Sequence, residues 1–240
     1  MTTSEVIWHD IECGAYEEDL PLWRVLAREH PGPILEVGAG TGRVSLHLTG
    51  LGHDVTALDR DAELLQELAA RAAGTGLETV LADARSFALE RRFSLCLVPM
   101  QAIQLLGGVV ERAAFLRCAR ACLAPGGVLA VALTEVVEPY EAIKGGPAPL
   151  PDMRELDGVV YASRPIAVRE QRDVFVIERR REIVGANGAL EVEENRIALD
   201  RVAAAELERE GLEAGFRLLP RGHISATVDY VGSAVVILGA

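Results

Sequence analysis

The stretch ILEVGAGTGRVSLHL, residues 34–48, joins four strand-forming residues to three closely spaced glycines and then to a helical apolar pattern. Gly38 and Gly40 lack a Cβ, so the chain can take positive φ angles there and a ligand can approach the backbone. A dinucleotide-binding turn has the pattern GxGxxG, and position 43, where its third glycine would stand, is Arg43. The third glycine here is Gly42. The stretch therefore predicts a ligand-binding loop between a strand and a helix, but not the usual phosphate-binding turn.

Strand and helix patterns alternate beyond this stretch. Short apolar segments at 54–59, 78–82, 93–98 and 128–133 are typical of buried parallel strands, and helical apolar spacing lies between most of them. Because such alternation places helices on both faces of a parallel sheet, the predicted fold class is α/β, doubly wound and mostly parallel.

The pattern changes after residue 134. Residues 138–153 are rich in Pro and Gly and predict a loop, and three strand-like segments follow at 158–168, 173–184 and 190–199. The pair Asn187-Gly188 is a hairpin signal, so these strands are expected to be antiparallel. A helix at 201–214 and strands near 216–221 and 233–239 follow.

The expected organisation is a single domain, residues 1–240. Its predicted parts are an N-terminal helical cap (1–30), a ligand-binding core (31–134), an inserted antiparallel lid (135–199) and a C-terminal helix with the last two core strands (200–240).

Composition excludes several classes of partner. The formal net charge is −12, from 36 acidic and 24 basic residues, which argues against nucleic acid because phosphate binding needs a clustered basic surface. The basic run 179–181 is expected on a solvated strand face. No apolar run is long enough to cross a membrane, and no signal peptide is expected. Four cysteines without CxxC spacing predict reduced thiols in the cytoplasm, and the five histidines have no metal-ligand spacing.

With these motifs in order, the sequence resembles the class I S-adenosylmethionine-dependent methyltransferases. Their first motif, E-x-G-x-G-x-G, stands here as Glu36 to Gly42. Acids follow the second and third strands, as Asp59 in VTALDRD and Asp83 in VLADARSF. The segments LAPGGVLAV and LEREGLEAGFRLL also fit, so the resemblance covers roughly residues 31–134 and 201–240. It implies a Rossmann-like sheet of seven strands that binds S-adenosylmethionine and needs no metal.

Spacing and resemblance together assign roles in cofactor binding. Asp59 lies 21 residues after Gly38, a distance that suits a carboxylate accepting hydrogen bonds from a ribose diol. The resemblance implies that Asp83 and Ala84 contact the adenine, and that Glu36 orients the glycine loop or binds the cofactor's amino group. The full set expected to bind the cofactor is Tyr16, Glu36, Gly38, Ala39, Gly40, Gly42, Arg43, Asp59, Arg60, Asp83, Ala84, Arg85, Pro99, Met100 and Gln101.

The sequence defines the residues near the methyl acceptor less clearly than those that bind the cofactor. Met100 and Gln101 are expected to face the sulfonium with Gln104 beside them, whereas Leu105 and Leu106 are expected to pack in the core. Tyr16 is expected to close over the methionine end, with packing as the alternative. A base is needed only if the nucleophile arrives protonated. The candidates for this base are His223, Glu135, Tyr140 and Tyr230.

The leading hypothesis is an enzyme that transfers a methyl group to N or O of a small-molecule acceptor. The alternatives are an S-adenosylmethionine-binding protein without catalysis, acting as a regulator or partner subunit, and a nicotinamide dehydrogenase. The 135–199 segment is expected to cover the substrate, and exposed strand edges in it also suit a homodimer. The sequence contains no motif that names the acceptor.

Overall fold

The central sheet contains all the strands predicted for the core. In the computed structural model, which describes residues 3–142, 149–228 and 230–240, five of its strands are parallel. They are β1 (Ile34–Val37), β2 (Val55–Asp59), β3 (Glu78–Leu81), β4 (Phe93–Val98) and β5 (Leu123–Leu133). Their order is β3-β2-β1-β4-β5. Strand order therefore reverses beside β1, and ligands bind at such a switch point, outside the carboxyl ends of the strands.

An antiparallel edge completes the sheet next to β5. This edge consists of β11 (Arg217–Leu218), β12 (Gly222–Ile224) and β13 (Ser233–Gly239). The intervening strands, from β6 (Tyr140–Glu141) and β7 (Asp152–Leu156) to β10 (Leu190–Asp200), belong to a second sheet. β13 pairs with β5, and both short strands pair with β13. The described residues thus form eight strands where seven were predicted, because residues 222–224 add a short one.

Helices cover both faces of this sheet. They are α1 (Ser4–Cys13), α2 (Leu20–Glu29), α3 (Arg43–Gly50), α4 (Ala62–Arg71), α5 (Val109–Cys122) and α6 (Ala204–Glu213), with a 3₁₀ turn at Ala102–Leu105. On one face Leu35 belongs to a core that includes Phe115 of α5, and on the other Ile34 belongs to one that includes Trp23 of α2. β1, β2, β4 and most of β5 are buried on both faces, which explains why these strands are mainly apolar, whereas β3 at the sheet edge is largely exposed.

A second sheet contains the three predicted antiparallel strands and two short ones that the sequence reading missed. Its order is β10-β9-β8-β6, with β8 spanning Val159–Glu170 and β9 spanning Val174–Val184. β7 also pairs with β8, so the segment predicted as a loop contributes two strands. The hairpin predicted at Asn187-Gly188 is present, with Gly188 at φ +78°.

Helix α1 lies within the predicted N-terminal helical cap (1–30), and its role in linking the two sheets was not predicted. Asp10 pairs with Arg71 of α4 at 2.6 Å, while Glu12 accepts a hydrogen bond from Arg181 of β9 at 2.8 Å. The Trp8 ring also packs edge-on against Tyr161 of β8. The helix therefore forms one wall of the space between the sheets. None of the helices in the described ranges is long and apolar enough to cross a membrane.

Candidate active site

Two adjoining cavities of about 280 Å³ each lie at the carboxyl ends of the parallel strands. We call the first, lined by Asp59, Asp83 and their neighbours, the edge cavity, and the second, between the central and second sheets, the intersheet cavity. The side chains or backbone atoms that line both are those of His9, Gly38, Ala102 and Leu105. These four residues mark the junction of the two cavities.

The glycine loop forms the floor of this junction. Gly38, Gly40 and Gly42 all have positive φ angles, of +77°, +54° and +92°. A Cβ on Gly40 would overlap the Nε2 atom of His9, and one on Gly42 would overlap Leu68. The loop therefore needs glycine both for its backbone conformation and for the space above it.

Asp59 is fixed at the wall of the edge cavity by two backbone donors. Its Oδ2 accepts the N–H of Gly40 at 2.8 Å, and its Oδ1 accepts the N–H of Asp61 at 2.9 Å. Asp61 in turn caps α4 by accepting from the N–H groups of Glu63 and Leu64. Each oxygen of Asp59 keeps a further lone pair for a ligand donor.

The acid after β3 lies on the same cavity. Asp83 accepts hydrogen bonds from the Nε and Nη2 atoms of Arg85, at 2.8 and 2.6 Å, and this partner lowers the pKa of Asp83 to about 2. The carboxylate is therefore charged at neutral pH. Arg60 and Ala84 line the same space, whose other walls are apolar side chains from β1, β2, β4 and α5.

Glu36 lies at the base of the intersheet cavity. Its side chain is buried and accepts a hydrogen bond from the hydroxyl of Ser45. Burial raises the pKa of Glu36 to about 8, against the favourable effects of Ser45 and Arg43. The carboxyl group is therefore mostly protonated near pH 7 in the ligand-free protein.

Glu36→Gln is expected to stabilise the ligand-free protein increasingly as the pH rises. The folded-state pKa of about 8 exceeds the ordinary value of 4.5, so between these values the unfolded chain releases a proton that the folded protein keeps. The free energy of unfolding of the wild type therefore falls with rising pH up to about pH 8. The amide of Glu36→Gln does not titrate, so the free energy of unfolding of the variant does not fall in this way. The difference in this free energy between the variant and the wild type should grow by at most roughly 1.4 kcal/mol per pH unit.

Urea unfolding of both proteins between pH 5 and 8 measures this difference. Glu63→Gln, at an exposed position on α4, is the matched control and should keep the pH dependence of the wild type. If the free energies of unfolding of Glu36→Gln and the wild type differ by the same amount at every pH, the pKa of Glu36 is not raised.

Arg43 is held by Asp19, the residue that precedes α2. Asp19 is fully buried and accepts two hydrogen bonds from the guanidinium, at 2.5 and 2.7 Å. The carbonyl of Tyr16 accepts a third at 2.8 Å, and the Tyr16 ring lies 5.1 Å from the guanidinium carbon. Arg43 lines the intersheet cavity, but Tyr16 lies behind it, packed against Tyr230, outside both sets of cavity-lining residues.

The segment after β4 lies partly where the sequence predicted. Pro99, Met100 and Gln101 line the intersheet cavity. Gln104 does not line either cavity: it is fully buried and donates to the carbonyls of Thr134 and Asp200, which joins the end of β5 to the end of β10. Conversely, the prediction that Leu105 packs in the core is wrong, because Leu105 is 50% exposed and lines both cavities. Leu106 packs against the core as predicted, and it also lines the edge cavity.

The structure does not bring the candidate bases named from the sequence to these cavities. Glu135 accepts the N–H of Ala204 at 2.8 Å, at the start of α6. Tyr140 lies on β6 and His223 is exposed on β12, while Tyr230 packs against Tyr16. Within the described residues, none of these four side chains lines the edge or the intersheet cavity. Glu135 follows β5, Tyr140 and His223 lie on short strands, and Tyr230 precedes β13.

Several side chains at the cavities were missed. Helix α1 contributes His9, Glu12 and Cys13, and β9 and β10 contribute Ile177, Arg179, Ile197 and Leu199. The spacing 9, 12, 13 places three chemically active side chains on one helix face, which is a signal the sequence offered.

The basic run also differs from its prediction. The side chains of Arg179 and Arg181 are only 15% and 8% exposed and face Glu12. Only Arg180, at 41%, points outward. Strand alternation sends neighbouring side chains to opposite faces, so a run of three arginines cannot all be solvated when one face is covered.

In the described part of the chain, no group of three or more His, Cys, Asp or Glu side chains is arranged to hold a metal ion.

Comparisons with known proteins agree with this architecture. Residues 34–127 match a family model described as a methyltransferase domain. Among solved structures, CalS10, an amino pentose methyltransferase from Micromonospora echinaspora in complex with S-adenosylmethionine, has a TM-score of 0.74 at 21% identity over 97% of this chain and 96% of that one. The sugar N-methyltransferase KedS8 from Streptoalloteichus has a TM-score of 0.73 at 18% identity, over 98% and 92% of the two chains.

A third structure is the glycopeptide N-methyltransferase MtfA in complex with S-adenosylhomocysteine, with a TM-score of 0.62 at 20% identity over 99% of this chain and 98% of that one. A search of curated protein sequences found no match. The strand order and the family match lead to one conclusion: residues 34–127 are similar to a methyltransferase domain, and the chain as a whole has the Rossmann-like fold of these solved methyltransferase structures.

Proposed function

We propose that this protein transfers a methyl group from S-adenosylmethionine to an amine nitrogen of a small-molecule acceptor. The observation that carries the proposal is the pair of cavities that meet over the glycine loop, one bearing Asp59 and Asp83 and the other enclosed by the second sheet. S-adenosylmethionine supplies a methyl group on a sulfonium that leaves as a neutral thioether, so no acid is needed for the leaving group. The task of the protein is to bind both partners and align them.

The edge cavity suits the adenosine part of the cofactor. Asp59 would accept hydrogen bonds from the ribose hydroxyls, and Asp83 with the N–H of Ala84 would contact the adenine edge, between the apolar walls. Three carboxylates, at Asp59, Asp61 and Asp83, line this cavity, and the guanidinium of Arg85 is already paired with Asp83. Such a lining disfavours the phosphates of a nicotinamide dinucleotide, and with them the dehydrogenase alternative.

The amino-acid end of the cofactor fits the floor of the intersheet cavity. Glu36 would accept a hydrogen bond from the ammonium group, and a nearby positive charge favours the carboxylate form of a buried acid. Since Glu36 is largely protonated in the ligand-free protein, binding should release a proton below pH 8. The space beside Gly38 and Ala39 admits backbone contacts with the same end of the ligand.

The acceptor would occupy the remainder of the intersheet cavity. Ile177, Ile197 and Leu199 of the second sheet form an apolar wall, so this sheet would serve as the lid. Glu12 and Arg179 add polar groups that can orient a hydroxylated or charged molecule. A net charge of −12 favours an amine, and similarity to KedS8 and MtfA, both described as N-methyltransferases, supports nitrogen over oxygen as the acceptor atom.

The test is transfer of a labelled methyl group from S-adenosylmethionine to a panel of amino sugars and other small amines, each paired with its hydroxyl analogue. We expect label in amines only. Binding of S-adenosylhomocysteine without transfer to any acceptor would favour the non-catalytic alternative. Binding of NAD in place of S-adenosylhomocysteine would overturn the proposal.

Two broader expectations stay proposals. All four cysteines lie among the described residues as free thiols, which suits a reducing cytoplasm. The outer edge of β10 is unpaired over the described residues and could form a homodimer through the second sheet. Light scattering after size exclusion tests the dimer.

A further inference from the structure

We propose that His9 accepts a proton from the ammonium form of the acceptor amine and so frees the nitrogen lone pair, and that Thr41 and Asp10 hold His9 for this task. This inference rests on the function proposed above. It adds a residue that neither the sequence motifs nor the conserved architecture of the sheet identifies.

Position is the first argument. His9 lines both the edge and the intersheet cavity, so it lies at their junction, where the reacting groups of the two ligands would meet. Its Nε2 atom faces Gly40 so closely that a Cβ at that position would overlap it. The imidazole of His9 therefore lies directly against the glycine loop at the junction.

The hydrogen-bond chain fixes the tautomer of His9. The hydroxyl of Thr41 donates to Oδ1 of Asp10 at 2.8 Å, so its oxygen is left to accept from Nδ1 of His9 at 3.2 Å. Asp10 is itself anchored by Arg71 at 2.6 Å and by Arg154 at 3.0 Å. The proton therefore resides on Nδ1, and Nε2 is an acceptor at the cavity junction.

Burial favours a neutral imidazole at His9. Burial lowers the pKa of His9 below 6.5 and outweighs the opposing effect of the nearby acids. The charged groups that act on it are Asp10 and Glu12 from α1, Asp59 from the end of β2, and Arg71 from α4. His9 is thus available as a base near pH 7.

The step balances without another reactant. One proton moves from the acceptor ammonium to Nε2 of His9, which frees the nitrogen lone pair. That pair forms the new nitrogen–carbon bond while the carbon–sulfur bond breaks and its electrons go to sulfur. The proton on the imidazolium then passes to solvent, because the junction is open to both cavities.

Kinetics of His9→Gln test the catalytic part. We expect kcat to fall about 100-fold, the low end for loss of a general base, with the Kd for S-adenosylhomocysteine within about threefold of the wild-type value. The wild-type kcat should fall at low pH as His9 becomes protonated, and the variant should lack this limb. His53→Gln, away from both cavities, is the control and should behave like the wild type. An unchanged kcat and pH profile in His9→Gln would overturn the proposal.

A second measurement needs no acceptor and no activity. In the ¹⁵N-histidine-labelled wild type, long-range ¹H–¹⁵N spectra should show His9 neutral at pH 7 with its proton on Nδ1. Thr41→Val should abolish this preference and, where transfer is measurable, lower kcat about tenfold. A proton on Nε2 or an imidazolium at pH 7 would overturn the role of His9. A wild type that binds no S-adenosylhomocysteine would instead refute the proposed function, which separates the two failures.

Discussion

Asp59→Ala is expected to weaken binding of S-adenosylhomocysteine at least about 100-fold, measured by isothermal titration calorimetry. The carboxylate organises the glycine loop through the N–H groups of Gly40 and Asp61, and it would also accept from the ribose hydroxyls. Each hydrogen bond to a charged group contributes about 1.5–3 kcal/mol. Loss of only two such bonds is worth about 3 kcal/mol, which corresponds to about 100-fold in Kd.

Asp54→Ala is the matched control, because Asp54 immediately precedes β2 at the opposite end of the strand, exposed and paired with Arg91. It should leave Kd within about twofold. Asp59→Asn keeps the shape of the side chain but loses its charge, and its Kd for S-adenosylhomocysteine should lie between those of the wild type and Asp59→Ala. If Asp59→Ala binds the ligand within threefold of the wild-type Kd, Asp59 does not belong to the cofactor site.

Asp19→Ala is expected to lower the free energy of unfolding by about 3–5 kcal/mol, since removal of one partner leaves the other charge buried without compensation. Asp19 is fully buried and the Arg43 side chain is 11% exposed. For a chain of this size the loss corresponds to a decrease in Tm of roughly 6–20 °C. Thermal unfolding followed by circular dichroism measures it.

The double variant Asp19→Ala/Arg43→Met separates loss of the pair from loss of packing. Because it removes both charges, it should be more stable than Asp19→Ala alone. Glu17→Ala, at an exposed position in the same segment, should leave Tm within about 2 °C of the wild type. A double variant less stable than Asp19→Ala would show that the contacts of the Arg43 guanidinium with the carbonyl and ring of Tyr16, rather than its unpaired charge, dominate.

The central sheet was predictable because its signals are local. Residues 93–98 are apolar except for Ser94, and the structure assigns this same span to β4. The glycine spacing at 38, 40 and 42 gave the loop conformation directly, since all three positions have positive φ. By contrast, β6 and the start of β7 lie in the segment 138–153, whose Pro and Gly content predicted a loop, and their pairing with β8 depends on tertiary contacts.

The bases named from sequence show where local reasoning fails. His223 and Glu135 were selected because they follow strands, but the sequence does not say toward which side of the sheet a segment turns. The structure places Glu135 at the N-terminus of α6, where it accepts the N–H of Ala204, and His223 on an exposed short strand. Cavity-lining residues such as His9 and Arg179 lie 170 positions apart in the chain, and only folding brings them to one space.

The sequence alone thus determined the fold class, the glycine loop and the acids at the carboxyl ends of β2 and β3, because strand periodicity and glycine conformation act over a few residues. Tertiary structure decided which side chains face the acceptor. Helix α1 and the second sheet meet over the loop, and their mutual position depends on long-range ion pairs such as Glu12 with Arg181. Those contacts join residues far apart in the chain, and no local pattern encodes them.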